Sequence, residues 1–140
     1  MFAFAASDDV GAEDGELAAF SRFMLDDPTS PRNQLVEKGN SFEDIVDTRA
    51  ILQQDYRTVD CINMPPLFKP QTGALGVVDY EKVFCAIEGD DDVFDLRGIN
   101  RQKGCIVIIR PDQYIADIRP INAMLSLHLT FGGILKGLKS

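Results

Sequence analysis

Two short segments restrict this chain more than any other feature, because each is apolar on both of the alternating faces that a strand presents. They are Phe2-Ala3-Phe4-Ala5-Ala6 and Cys105-Ile106-Val107-Ile108-Ile109. A strand of that kind is stable only where material covers it above and below, so both belong in the middle of a sheet. Two further segments alternate instead. Ile45 to Leu52 sets Val46, Ala50 and Leu52 on one side, with Asp47 and Arg49 on the other. Tyr114 to Arg119 sets Tyr114, Ala116 and Ile118 opposite Asp117 and Arg119. One wet face suits the sheet margin or a partly uncovered position, so these two are candidate edges.

Arg110-Pro111-Asp112-Gln113 separates the last two strands. Proline presets the second position of a tight turn and aspartate suits the third, so a hairpin is expected there. Helical spacing fills the gaps. Glu16 to Leu25 carries Leu17, Phe20, Phe23, Met24 and Leu25, preceded by acids that favour the positive helix end. A short helix starts in Asp90-Asp91-Asp92, turns Val93, Phe94 and Leu96 inward and stops at Gly98. A third runs from about Ile121 to Leu138 with an apolar stripe of Met124, Leu127, Phe131, Ile134, Leu135 and Leu138, which Gly132-Gly133 weakens or kinks. The order is strand, helix, strand, long insert, helix, strand, strand, helix. It predicts an α/β chain of thioredoxin-like fold, with a mixed sheet of about four strands flanked by helices. The insert, about residues 57–88, holds Met64-Pro65-Pro66, Lys69-Pro70 and Gly73 and reads as irregular. Inserts of that length usually serve function or contact a partner.

At 140 residues, 45% of them apolar and 26% charged, the chain is read as a single domain over 1–140. Its net charge of -8, with Asp8, Asp9, Glu13, Asp14, Glu16, Asp26 and Asp27 near the N-terminus, argues against nucleic acid or an anionic membrane as partner. No basic region precedes the apolar residues 1–6, and no stretch is long enough to span a bilayer, so a cytoplasmic location is expected.

Candidate chemistry is sparse. Cys61, Cys85 and Cys105 are odd in number and widely separated, which does not describe a secreted disulfide framework. They form no C-x-x-C pair, so dithiol redox chemistry lacks its resolving cysteine, and Cys105 within an apolar strand is expected to be inert. The lone His128 has no neighbour for a zinc site and reads as an ordinary helix residue. Glu88 with Asp90-Asp91-Asp92 lacks calcium-loop spacing and reads as a helix cap. Asp79-Tyr80-Glu81-Lys82 could be drawn as a proton-transfer group, yet reads better as a polar segment anchoring the insert or touching a partner. Arg110 and Asp112 flank the turn proline as a local ion pair. The glycines include no G-x-G-x-x-G to cradle a pyrophosphate. No catalytic, cofactor-binding or metal-binding residue is assigned.

Three segments taken together resemble a known family: residues 73–85 (GALGVVDYEKVFC), 94–101 (FDLRGINR) and 104–116 (GCIVIIRPDQYIA). They are similar to the C-terminal dimerisation domain of phenol 2-monooxygenase and related aromatic hydroxylases. Asp47-Thr48-Arg49-Ala50 and Phe4-Ala5-Ala6-Ser7-Asp8-Asp9 fit the same domain less specifically. Against that family the first strand looks clipped, and Asp117 and Arg119 stand where relatives are apolar or neutral. The resemblance implies a thioredoxin-like fold. It also implies FAD and substrate pockets in regions N-terminal to this domain, with no cofactor in this chain. The expected role is a non-catalytic dimerisation or accessory domain, not an enzyme on its own, whose partner is a second copy or the flavoprotein hydroxylase body. A free-standing thioredoxin-like redox protein and a small regulatory binder are the alternatives.

The central position of the first strand is testable by deletion. Burial of each large apolar side chain stabilises by about 1.5 to 3 kcal/mol. Removing residues 2–6 is therefore expected to abolish the cooperative thermal transition, and an unchanged melting temperature would show that the strand order is wrong.

Overall fold

The computed structural model describes residues 1–37, 39 and 41–137. Its main sheet has five strands: β1 (Phe2–Phe4), β2 (Arg49–Leu52), β5 (Val83–Cys85), β6 (Cys105–Ile109) and β7 (Ile115–Arg119). The spatial order is β5-β2-β1-β6-β7. β1 is parallel to β2 and antiparallel to β6. β2 is parallel to β5, and β6 and β7 form the antiparallel hairpin. Both two-sided segments are thus interior, as their composition demands. Register sets Phe4 beside Ile51 on one flank and beside Cys105 on the other.

The two faces of the sheet differ in residue size. Ala3, Ala5 and Ala50 point to one side and are fully buried. Small side chains there allow close approach of α1 (Glu16–Asp26), which drives Leu17, Phe20 and Met24 into the same core. Phe2, Phe4 and Ile51 point to the other side, into a smaller cluster with Phe94. The core is therefore thick on the helical side and thin opposite.

Helix α1 keeps the predicted span and ends with its carbonyls held by side chains. Ser30 Oγ donates to the Met24 carbonyl at 2.9 Å, and Asn33 Nδ2 donates to the carbonyls of Leu25 and Asp27. Two helices follow that the sequence reading passed over: α2 (Pro31–Glu37) and α3 (Phe42–Ile45). Ser30-Pro31 carried the missed signal, since Ser30 Oγ accepts the Asn33 amide as an N-cap and proline takes the first turn. α4 (Val93–Leu96) starts on Asp92, whose carboxylate accepts the Phe94 amide at 2.9 Å, and Gly98 follows at φ 62°. Phe94 is fully buried and Val93 packs beside it, but Leu96 is exposed and not inward as expected, because one turn of helix cannot turn all three residues to the sheet. The last predicted helix divides. A 3-10 stretch, Ile121–Ser126, precedes α5 (Leu127–Gly137), which continues through Gly132 and Gly133. Leu127 and Phe131 are buried in the core; Leu138 lies outside the described residues.

The mixed sheet flanked by helices is as expected, with five strands against about four, and the candidate-edge position of Ile45–Leu52 is corrected. The strand begins at Arg49, after α3, and β5 covers its outer side. β5 was read as part of an irregular insert. That insert is ordered in pieces: 3-10 turns at Tyr56–Thr58 and Pro66–Phe68, and a separate two-stranded hairpin of β3 (Gln71–Thr72) and β4 (Val77–Val78). Leu67 and Phe68 are buried, and the Leu67 amide donates to Ser21 Oγ on α1 at 3.1 Å.

Gly104 is required twice over where the loop enters β6. Its φ is 61°, and a Cβ there would overlap the Phe4 carbonyl oxygen, which is backbone and cannot swing aside. Gly73 has a similar φ of 70° but open space around it. Gly104→Ala is expected to cost at least about 3 kcal/mol and Gly73→Ala only about 1 kcal/mol. Urea titrations of the two variants measure this difference, and equal midpoints would contradict it.

Candidate association surface

Alternation along the strands leaves the face carrying Phe2 and Phe4 to be covered by α4, with Ala86 and Ile99 beside it. Phe94 seats edge-on against Phe4, with ring centroids 5.4 Å apart, and beside Val107. Away from α4 the sheet is open. Phe84 is 40%, Ile118 55% and Ile115 58% exposed. Arg49 lies among them, its guanidinium 5.4 Å from the centre of the Phe84 ring and its Nε 2.7 Å from Asp47. A groove of about 280 Å³ runs beside α4, with Phe2, Ile51 and Phe84 as its floor.

The polar groups singled out in the sequence serve the fold. Lys82 Nζ bonds Asp47 at 2.8 Å and lies 3.5 Å from Asp79, so the Asp79–Lys82 segment anchors the insert to the entrance of β2. The hydrogen bond to Asp47 holds the Lys82 ammonium above its ordinary range. Asp92, besides capping α4, accepts from Arg101 at 2.7 Å, and this contact holds its carboxyl below the usual carboxylate range. Arg110 pairs with Asp112 at 2.7 Å across the hairpin turn, and Gln113 takes φ 68° to close it. His128 is exposed, with Nδ1 2.7 Å from the Leu125 carbonyl oxygen. Burial pushes the Cys85 and Cys105 thiols up, away from the nucleophilic thiolate. A cleft of about 480 Å³ between α3 and the insert contains Arg32, Lys69 and Lys82. These cations are already engaged, Arg32 with Glu43, Lys69 with the Ile62 carbonyl and Lys82 with Asp47. Among the described residues no cluster of His, Cys, Asp and Glu could hold a metal ion, and no helix is long and apolar enough to cross a membrane.

A dinucleotide needs a strand-to-helix turn with free amides and room for phosphate. Between β1 and α1 that place is filled by Asp9. Its carboxylate is buried, and accepts the Leu17 amide at 2.8 Å and the Gly11 amide at 2.9 Å. A Cβ on Gly15 would lie 2.5 Å from Asp9 Oδ1, so glycine makes room there for the chain's own carboxylate. A phosphate brought to this turn would find its amides already taken by the Asp9 carboxyl oxygens. The residues do not fit a flavin diphosphate.

The family described as phenol hydroxylase, C-terminal dimerisation domain, matches residues 1–138. The chain belongs to this family. The 3-hydroxybenzoate 4-monooxygenase of Comamonas testosteroni is 37% identical over 138 residues, covering 97% of this chain and 22% of that protein. The FAD-dependent monooxygenase terD of Aspergillus terreus is 26% identical over 92 residues, 63% of this chain and 15% of the relative. The domain thus spans about a fifth of the length of the first relative, or less of the second.

The edge strand of the dimerisation domain corrects one expectation. Tyr114 and Ile118 were paired opposite a wet face of Asp117 and Arg119, but the structure puts the apolar residues outward and the charged pair against α5. Asp117 Oδ2 accepts from Arg119 Nε at 2.7 Å and from the Thr130 hydroxyl, while Arg119 Nη1 donates to Ser126 Oγ at 3.1 Å. The sequence marked Asp117 and Arg119 as unusual, without showing that they face a helix.

The bond from Thr130, and after it that from Arg119, holds the Asp117 carboxyl below the usual carboxylate range. A depressed folded value stabilises above the unfolded pKa of about 3.9, and that contribution disappears as pH falls through the folded value. Asp117→Asn is therefore expected to lose about 1 kcal/mol near neutral pH and little in strong acid. Denaturant midpoints at the two pH values test this; an equal loss at both would remove the charge from the account.

Proposed function

We propose that this chain is the non-catalytic association domain of an FAD-dependent aromatic hydroxylase. It joins hydroxylase polypeptides while the flavin and the aromatic substrate are held elsewhere in the parent enzyme. The observation that carries this reading is the open, largely apolar sheet face, which is suited to meet protein and whose central cation, Arg49, is already bonded to Asp47. The Asp9-filled turn supports the view that this chain holds no flavin of its own. Both the 3-hydroxybenzoate 4-monooxygenase and terD carry monooxygenase names, and each is several times longer than the stretch matched. The parent enzyme hydroxylates an aromatic ring in the cytosol, where the free thiols of Cys61, Cys85 and Cys105 stay reduced.

Purified chain is expected to be colourless, to take up no FAD in equilibrium dialysis and to leave reduced nicotinamide unoxidised with phenol or 3-hydroxybenzoate. A yellow preparation, or aromatic-dependent nicotinamide oxidation by the chain unaided, would overturn the reading.

A further inference from the structure

The cleft between α3 and the insert departs from the charge balance of the whole chain. Its walls carry three cations, Arg32, Lys69 and Lys82, against two carboxylates, Glu43 and Asp47, although the net charge of the protein is -8. Arg32 pairs with Glu43 at 3.2 Å, and Lys82 meets Asp47 at 2.8 Å and Asp79 at 3.5 Å. Lys69 differs. Its ammonium bonds the Ile62 carbonyl at 2.6 Å, which fixes its position but leaves its charge without a carboxylate among the described residues. Thr48 also lines the cleft; it is 7% exposed, and its hydroxyl has no hydrogen-bond partner among the described residues. Buried polar atoms are costly to leave unpaired, and nearly all of them find a partner. We propose that this cleft is a binding site for a small aromatic carboxylate, in which Lys69 answers the negative charge and Thr48 supplies a hydrogen bond.

Charge and shape select the ligand. One unanswered ammonium suits a single negative charge, whereas a phosphate dianion calls for further cations, and those are held in ion pairs. A metal ion or an amine would meet carboxylates that already bear cations, Glu43 with Arg32 and Asp47 with Lys82 and Arg49. The apolar part of the lining includes the rings of Phe42, Pro66 and Pro70, against which a flat apolar body packs well. The volume of about 480 Å³ lies within the range of small-molecule sites, roughly 300 to 1,000 Å³.

A bound acid would tie the insert to the helical side, since Pro66, Lys69 and Pro70 come from the insert while Arg32 and Phe42 come from α2 and α3. A ligand that binds only the folded chain raises its stability as ln(1 + [L]/Kd). The cleft is open to solvent and offers one free ionic contact, so the affinity is modest, with a Kd of about 1 mM. The cleft shares no residue with the groove beside α4, and the inference stands apart from the association reading.

Benzoate is the probe, with benzyl alcohol as its uncharged counterpart and inorganic phosphate as an anion without a ring. In titrations followed by amide NMR, benzoate is expected to move the Thr48 and Lys69 signals to saturation, and the other two compounds to bind at least tenfold more weakly. Benzoate at about 10 mM is expected to raise the melting temperature by about 4 °C. Lys69→Gln is expected to weaken benzoate binding at least fivefold. Thr48→Val keeps the shape and removes the unpaired hydroxyl, so the free chain is expected to melt no lower while benzoate affinity falls at least threefold. Absence of saturable shifts at about 20 mM benzoate, or shifts confined to other surfaces, would sink the proposal. Benzyl alcohol or phosphate binding as well as benzoate, or full affinity in Lys69→Gln, would do the same.

Discussion

The structure depends on an asymmetry of side-chain size in the first two parallel strands. Ala3, Ala5 and Ala50 give the helical side a shallow floor, and α1 descends onto it far enough to bury Leu17, Phe20 and Met24 completely. Larger residues at those three positions would lift α1 and open gaps that close packing does not tolerate. The large residues of the same strands, Phe2, Phe4 and Ile51, are thereby sent to the opposite side. One helical turn covers part of them, and the remainder stays at the surface. An exposed apolar face is the direct complement of a tightly packed one.

The polar residues are occupied in holding the fold together. Asp9 closes the turn before α1, Asp92 starts α4 and holds Arg101, Lys82 pins the insert to Asp47, and Asp117 joins β7 to Thr130. Each of these groups is bound to its own chain in an arrangement that orders a loop or a helix end. Catalytic carboxylates and amines are usually poised toward an open site, with partners that leave an incoming molecule something to bind. Phe84, Ile115 and Ile118, by contrast, are exposed hydrocarbon side chains grouped on one sheet face, and such a patch suits contact with protein. That division of labour suits a domain whose relatives are several times its length.

Much of this was legible in the residues. Two-sided apolar segments can only be interior strands, and the Pro111-Asp112 turn can hardly be anything but a hairpin. What was not legible depends on tertiary contact. Val83-Phe84-Cys85 is too short to declare itself and becomes a strand because Ala50, Ile51 and Leu52 offer it a parallel partner. Alternation in 114–119 separates two sides of a strand without saying which side meets the helices, and an irregular register beside Ile109 disturbs even the alternation. Thr130 and Ser126 decide the matter from α5 and from the turn before it, far along the chain. The open face was visible only as a run of apolar residues, since no sequence pattern reports how little of it one turn of helix can cover.

The β3–β4 hairpin stands apart from the main sheet and is joined by just two residue pairs. At its tip Gly73 and Gly76 have positive φ, and the Leu75 side chain is almost wholly in solvent. Loop-closure entropy grows slowly with length, so extra residues at such a tip burden the fold little. An epitope or a fluorescent reporter spliced between Gly73 and Gly76 would ride outside the sheet, offering a way to follow assembly of a full hydroxylase without tagging either terminus.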